Sequence, residues 1–362
     1  MLRPRSRALL PALVTTLTVL ALLTSCKTVD FAPRPRGPRA MAPDRAIEVV
    51  AATVPAGAPV TEIPFRAGNA TRVFQAALDR AARRTDRADA ESGRADAAPP
   101  TVIVPSAGAP WVLETVRVPS GIRLVFEPGA EVRALRGSFK DTGQVLFELH
   151  DVHDVEILGY GATIRMWRED YQGRDYDRGQ WRHIFSLRGV NNVRIAGLTL
   201  LESGGDGVYV GRSGAQSYSR DVHLLDLTIR DQHRQGVSVI SAENLLIERC
   251  VLSATGGHLP MAGIDFEPNR ADERFVNCVV RDSIITDNAG AGVMFQLRRF
   301  DETTRPFDVR IENTLISGNG LGLLLLGTRQ GARGSIEFTS TDLYGIRFKV
   351  PLREVDLGIN EQ

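Results

Sequence analysis

"LFELHDVHDVEI" (146–157), "FSLRGVNNVRI" (185–195) and "VSVISAENLLI" (237–247) align without a gap over their shared length. Each alternates apolar and polar residues, the period-two pattern of a half-buried strand, and each bends at an Asn or Asp. Further copies begin at "GDGVYV" (205–210), "AGIDFE" (262–267), "AGVMFQ" (291–296) and "LGLLLL" (321–326). Gly207, Gly236, Gly263, Gly292 and Gly322 recur at spacings of 29, 27, 29 and 30. A second marker is a turn residue at Asp154, Asn192, Asp221, Asn244, Asn277 and Asp308. Asn and Asp tolerate left-handed backbone, so a column of them suits a recurring sharp bend. A period near thirty with several short strands per repeat marks a solenoid. Helical periodicity is weak after residue 100, so the expected architecture is all-β: a single-stranded parallel β-helix. Each repeat is one coil, and coils stack at about 4.8 Å.

Outside the repeats, "NATRVFQAALDRAARR" (69–84) reads as an amphipathic helix with Val73, Phe74, Ala77 and Leu78 on one stripe. It is expected to cap the open N-terminal end, where strand edges would otherwise pair with other chains. "TDRADAESGRADAAPP" (85–100) reads as a loop, and residues 26–60, rich in Pro, Ala and Arg, as a tether. The β-helix domain is expected over 61–362. Residues 1–25 read as an export signal: Arg3, Arg5 and Arg7 precede the apolar run "ALLPALVTTLTVLALL". Cys250 and Cys278 fall in apolar runs on different ladders and are expected as free core thiols.

The 362 residues carry a formal net charge of +1, which offers no field for nucleic acid. Lysine occurs only at 27, 140 and 349, so a catalytic lysine is nearly excluded. A monomer is expected.

The order helix, "TVIVP", "VRVPSGIRLVFEPGAEV", then coils resembles the pectate lyase or pectin lyase superfamily of right-handed parallel β-helices, over roughly residues 65–350. That resemblance implies the fold; the superfamily holds lyases, glycosidases, epimerases and non-catalytic adhesins, so it does not fix an activity. "LTSC" (23–26) resembles the lipobox of bacterial lipoproteins. It implies lipidation of Cys26 and an exported protein held at a membrane, in the periplasm or at the cell surface. Lys27 stands where some families carry a retention Asp, which favours the outer membrane.

The repeat register places residues distant in sequence side by side. One outward column holds Glu148, Ser186, Tyr209, Ser238, Asp265, Met294 and Leu324. The next holds His150, Arg188, Gly211, Ile240, Glu267, Gln296 and Leu326, and the corner before it His183, Asp206, Gln235 and Ala262. Polar residues fill the middle coils, as expected for a sugar-binding groove. In "MAGIDFEPN" (261–269), Ile264 and Phe266 are expected to face inward and Asp265 and Glu267 outward, about 7 Å apart along the strand. Such a pair suits calcium ligation, or acid and base work in which one carboxyl's pKa is raised by its neighbour. Asp206 is expected about 10 Å away, two coils off.

"SGGDGVYV" (203–210) resembles the active-site stretch of polygalacturonase-type glycosidases, with Asp206 matching the second aspartate. The chain departs from that pattern at Gly205, Gln235 and His183, where the family has Asp, His and Asp. The acid-x-acid pair also resembles the calcium site of alginate and chondroitin lyases on this fold. That likeness implies a metal on Asp265 and Glu267 and β-elimination from a uronate polymer, with a base drawn from Arg188, Arg270, Tyr209 or a histidine.

Expected catalytic residues are therefore Asp206, Asp265, Glu267, Arg188, Tyr209 and His183. Expected substrate-binding residues on the columns and corners are Glu148, His150, Arg234, Gln235, Ser238, Arg270 and Gln296. The insertion "RMWREDYQGRDYDRGQWRH" (165–183) adds Trp167, Tyr171 and Trp181 as flat surfaces for sugars, while some of its aromatics anchor the loop. Insertions at 212–220 and 298–306 are expected as further groove walls. Three readings stand: calcium-assisted polysaccharide lyase, glycoside hydrolase with paired carboxylates, and glycan-binding surface protein without turnover.

Overall fold

The computed structural model describes residues 58–92, 98–327, 331–343, 346–348 and 355–360. Cys26, the export signal and nearly all of the expected tether lie outside them.

Three parallel sheets of eleven, nine and nine strands wind through the described chain, each strand pairing with its counterpart one coil away. The third sheet (here the site sheet) runs from Val116–Arg117 through Phe147–His150, Phe185–Arg188, Val208–Gly211, Gln235–Val239, Ala262–Phe266 and Ala291–Gln296 to Leu321–Leu326 and Ile346–Phe348. Its register reproduces the first outward column, where Ser186 lies beside Glu148 and Tyr209 and Ser238 beside Tyr209 and Asp265. It also reproduces the start of the second, where Arg188 lies between His150 and Gly211.

Alternation puts the apolar half of every strand into the tube. Phe147 stacks on Phe185 at 5.1 Å and Phe266 on Phe295 at 4.9 Å between ring centroids. Val155, Val193, Val222, Leu245, Cys278, Val309 and Ile336 form one continuous inward column. Cys278 behaves there as a small hydrophobe, and both it and Cys250 are free and buried.

The corners explain the polar punctuation. Asp154, Asn192, Asp221, Asn244 and Asn277 all hold φ between 50° and 56°. Their side chains form a ladder: Asn192 Nδ2 donates to Asp154 Oδ1 at 2.5 Å, Asn244 to Asp221 at 2.8 Å and Asn277 to Asn244 at 2.9 Å. Asp308 departs from the expectation. It lies inside the strand Phe307–Glu312 and extends the ladder only by accepting the backbone N–H of Asn277.

Helix α1 (Thr71–Ser92) opens where Asn69 Oδ1 accepts the backbone N–H of Thr71 at 3.0 Å, a side-chain cap on an otherwise orphaned donor. It continues past residue 84 into the stretch expected as a loop. Its apolar stripe closes the tube, with the Phe74 ring centroid 6.1 to 6.5 Å from those of Trp111, Phe126 and Phe147.

Candidate functional site

Ile264 and Phe266 point into the core, so alternation turns Asp265 and Glu267 to the outer face. Burial does not end at that face. Asp265, Asp206 and His183 have no exposed surface, and 22% of the Glu267 side chain is exposed. Three carboxyls thus crowd into one desolvated patch, and the groups around them show how the charge is managed.

Arg234 is the hub. From the corner before Gln235–Val239 its guanidinium reaches Glu267 Oε2 at 2.7 Å through Nη2, and Asp206 Oδ2 at 3.4 Å through Nη1. Two acids expected on coils about 10 Å apart are therefore served by one cation. Gln235 Nε2 donates to Asp265 Oδ2 at 2.7 Å, while its Oε1 accepts the backbone N–H of Ala262 at 3.0 Å. Gln296 donates to Glu267 Oε1. Arg234, Gln235 and Gln296, expected as substrate ligands, are here bonded to the acids themselves.

Asp265 Oδ1 and Asp206 Oδ1 are buried without a donor. Burial and then the neighbouring Glu267 charge hold the Asp265 carboxyl well above its ordinary range, against the pull of Arg234. The Asp265 carboxyl therefore holds its proton more tightly than an ordinary aspartate does. Burial also pushes Asp206 up to about 6, opposed by Arg234.

His183 Nδ1 lies 3.3 Å from Asp206 Oδ2, which suggests an ion pair, but the same nitrogen accepts the backbone N–H of Asp206 at 3.0 Å. Burial and the charges of Arg188 and Arg234 hold its pKa well below the usual value. The ring is thus neutral, with its hydrogen on Nε2, and it positions rather than titrates. It stacks on Tyr209 at 5.1 Å, and Arg188 lies 4.2 Å from the Tyr209 ring centroid. Burial raises the Tyr209 phenol. Arg188 Nε and His150 Nε2 each meet Ser186 Oγ at 3.2 Å, and His150 Nδ1 meets Glu148 at 2.9 Å. Ser238 is buried beside Arg234, and Arg270 is exposed on the turn beyond Glu267.

Calcium takes six to eight oxygen ligands. The side chains bonded to Asp265 and Glu267 are instead donors (Arg234, Gln235 and Gln296), and Arg234 supplies the positive charge. Among the described residues no three His, Cys, Asp or Glu side chains are disposed to hold a metal ion. This donor set does not fit calcium.

Two flanks border the site sheet. Before its strands, the 165–183 insertion is held by Arg182, wholly buried, whose guanidinium donates to the carbonyls of Phe139, Lys140 and Asp177 at 2.6, 2.6 and 2.8 Å. Tyr171 is buried there against Phe139 and Tyr176, so it anchors the loop and offers no face to a sugar. Trp167 is bonded through Nε1 to the Ala134 carbonyl at 2.6 Å, and Trp181 stands 46% exposed. After the strands, Arg212 pairs with Asp272 at 3.2 Å and Arg274 lies over Tyr218 at 4.0 Å. Phe300, buried against Phe275 and Phe307, fastens the 298–306 segment. Sequence reasoning missed the roles of Arg182 and Arg234. The available signal was an arginine at the corner directly before each of His183 and Gln235.

No family model and no curated protein matches the chain. Among solved structures, an iota-carrageenase complexed to iota-carrageenan fragments is similar at a TM-score of 0.51 and 14% identity, covering 83% of this chain and 61% of that one. This chain thus spans about three fifths of the carrageenase's length. A polygalacturonase from Erwinia carotovora ssp. carotovora aligns at a TM-score of 0.49 and 12% identity, covering 91% of this chain and 99% of that one. At such identities the likeness is one of fold: the chain is a right-handed parallel β-helix.

Proposed function

We propose that this chain is a carbohydrate-active enzyme that hydrolyses a polysaccharide at Asp265 and Glu267. One observation carries the reading: a wholly buried carboxyl whose pKa is raised by burial and by the charge of a partly exposed neighbour on the same face. Glycoside hydrolysis needs this division of labour, an acid that gives its proton to the leaving oxygen and a carboxylate that stays charged. Asp265 protonates the glycosidic oxygen as its bond to the anomeric carbon breaks, and Glu267 stabilises the positive charge that develops on the sugar ring. Water then adds to that carbon and returns a proton to the Asp265 carboxylate. The carrageenase neighbour, bound to carrageenan fragments on this fold, supports a polysaccharide as the substrate class.

Elimination is the weaker reading because the expected bases nearest the acids are disfavoured. Tyr209 is raised, His183 is buried and lowered, and arginine holds its proton at any working pH. The charge that calcium would bring is supplied by Arg234. We further propose that the enzyme is exported and held at a membrane through Cys26.

The test incubates purified protein with alginate, pectin, glycosaminoglycan, sulfated and neutral glycans. New reducing ends without ultraviolet absorbance, unaffected by a chelator, are expected. Asp265→Asn and Glu267→Gln should each lower the rate at least ~100-fold, the scale of a lost general acid. Unsaturated, ultraviolet-absorbing products that vanish with chelator would establish the lyase instead. Binding without turnover that survives Asp206→Asn, Asp265→Asn and Glu267→Gln together would make it a binding protein.

A further inference from the structure

Gln235 opens the strand Gln235–Val239, has no exposed surface, and lies in register with Ala262 on the strand that carries Asp265. Its side chain crosses to that strand and is tied there at both ends. A backbone N–H can only donate, so the amide atom 3.0 Å from the Ala262 nitrogen is the oxygen, Oε1. The other end, Nε2, is then a donor, and it stands 2.7 Å from Asp265 Oδ2. Turning the amide over would set donor against donor at Ala262 and acceptor against acceptor at Asp265. The backbone of the acid's own strand therefore dictates which way the amide points.

That orientation makes the two oxygens of Asp265 unequal. Oδ2 accepts from Gln235, whereas Oδ1 is buried with no donor. A protonated carboxyl has one O–H and one carbonyl oxygen, and the carbonyl oxygen is the better acceptor for an amide. The hydrogen thus belongs on Oδ1. Glu267 differs, because Arg234 donates to its Oε2 and Gln296 to its Oε1. A donor on each oxygen favours the charged form. The charged groups that bear on Asp265 are Glu267, Arg234 and Asp206, and none of them supplies a donor to Oδ1.

We propose that Gln235 is a positioning residue: it holds Asp265 Oδ2 against its amide, so that Oδ1 is the oxygen that keeps the acid's proton and gives it up. The inference deepens the hydrolase reading and rests on it only for the destination of that proton. In that reaction the proton passes from Oδ1 to the glycosidic oxygen, which keeps the electron pair of its broken bond to carbon. The carboxylate left behind still accepts from Gln235, and that bond is stronger once its acceptor is charged. Gln235 thus makes Asp265 readier to release its proton, and without the amide Asp265 is a weaker acid.

The test needs no substrate. In an atomic-resolution crystal structure of the wild-type chain, grown below the pH at which Asp265 titrates, the longer carboxyl C–O bond should be the one to Oδ1. Equal bonds, or a longer bond to Oδ2, would overturn the proposal. In solution, carbon-13 NMR of the full chain labelled at its aspartate carboxyls follows Asp265, whose resonance is the one missing from Asp265→Asn. Gln235→Met roughly keeps the volume and drops both bonds. It should raise the Asp265 titration midpoint by about one pH unit, the scale of one charge-assisted hydrogen bond. Gln235→Glu keeps an acceptor for Ala262 and loses the fixed donor, so it too should raise the midpoint. An unchanged midpoint in the folded variants would overturn the proposal, and if neither variant folds the wild-type bond lengths decide. With any glycan that the wild type cleaves, the alkaline limb of the pH–rate profile should move by the same amount in Gln235→Met, which a purely structural loss would not produce. Turnover retained by Asp265→Asn would instead sink the hydrolase reading and leave the placement of the proton standing.

Discussion

Asp206 shows what it costs to place carboxyls on this face. An acid whose pKa is higher in the folded chain than in the unfolded one binds excess proton when folded. Its contribution to stability is fully present below the unfolded value and is lost as pH rises through the folded one. For Asp206 that window runs from the ordinary 3.8 to about 6. The loss on ionising is about 3 kcal/mol, from roughly 1.4 kcal/mol per pH unit. Asp206→Asn should therefore gain on the wild type as pH rises through that window, in melting temperatures taken across it. A difference independent of pH would refute the assignment. The columns around this residue were legible in the sequence, because a fixed coil length turns spacing into lateral neighbourhood. The reach of a side chain was not. Arg234 spans from its own corner to acids on the coils either side, and no one-dimensional pattern encodes which way a long flexible side chain leans.

At the scale of the element, the glycine column is a packing constraint more than a backbone one. Gly207, Gly236, Gly263 and Gly292 lack positive φ, yet a Cβ on Gly236 would lie 2.5 Å from the Gly263 carbonyl oxygen and 3.0 Å from Leu252. The obstructing atom is backbone of the next coil, which cannot rotate away. Gly236→Ala should cost about 2–3 kcal/mol, as overpacking in a well-packed core does. Gly143→Ala, with nothing within 4 Å of the added carbon, should leave chemical denaturation unchanged. Equal midpoints for the two variants would show that the coils can part at Gly236. The period of these glycines was readable from sequence, but its cause was not, since it lies in a neighbour about thirty residues on. The end of α1 was misread for a related reason. "TDRADAES" (85–92) is polar enough to pass for a loop, and its helical state follows from continuing a helix already nucleated and docked through Phe74.

For the whole molecule, stacking makes stability a sum over neighbouring coils, so damage at one end should stay near that end. The cap offers the cleanest place to see this. Phe74 has no exposed surface and faces Trp111, Phe126 and Phe147, the rings of the first coils. Phe74→Ala should remove about 3–5 kcal/mol of local stability. Hydrogen exchange should then quicken in Thr101–Val104, Trp111–Leu113 and Val116–Arg117, while Ala262–Phe266 and Ala291–Gln296 keep their protection. The Asp265–Glu267–Arg234 cluster lies four coil steps from the first full strand under the cap and should be left undisturbed. If exchange instead rises evenly along the tube, the β-helix unfolds as one unit, and the cap cannot be treated as a site separable from the acids.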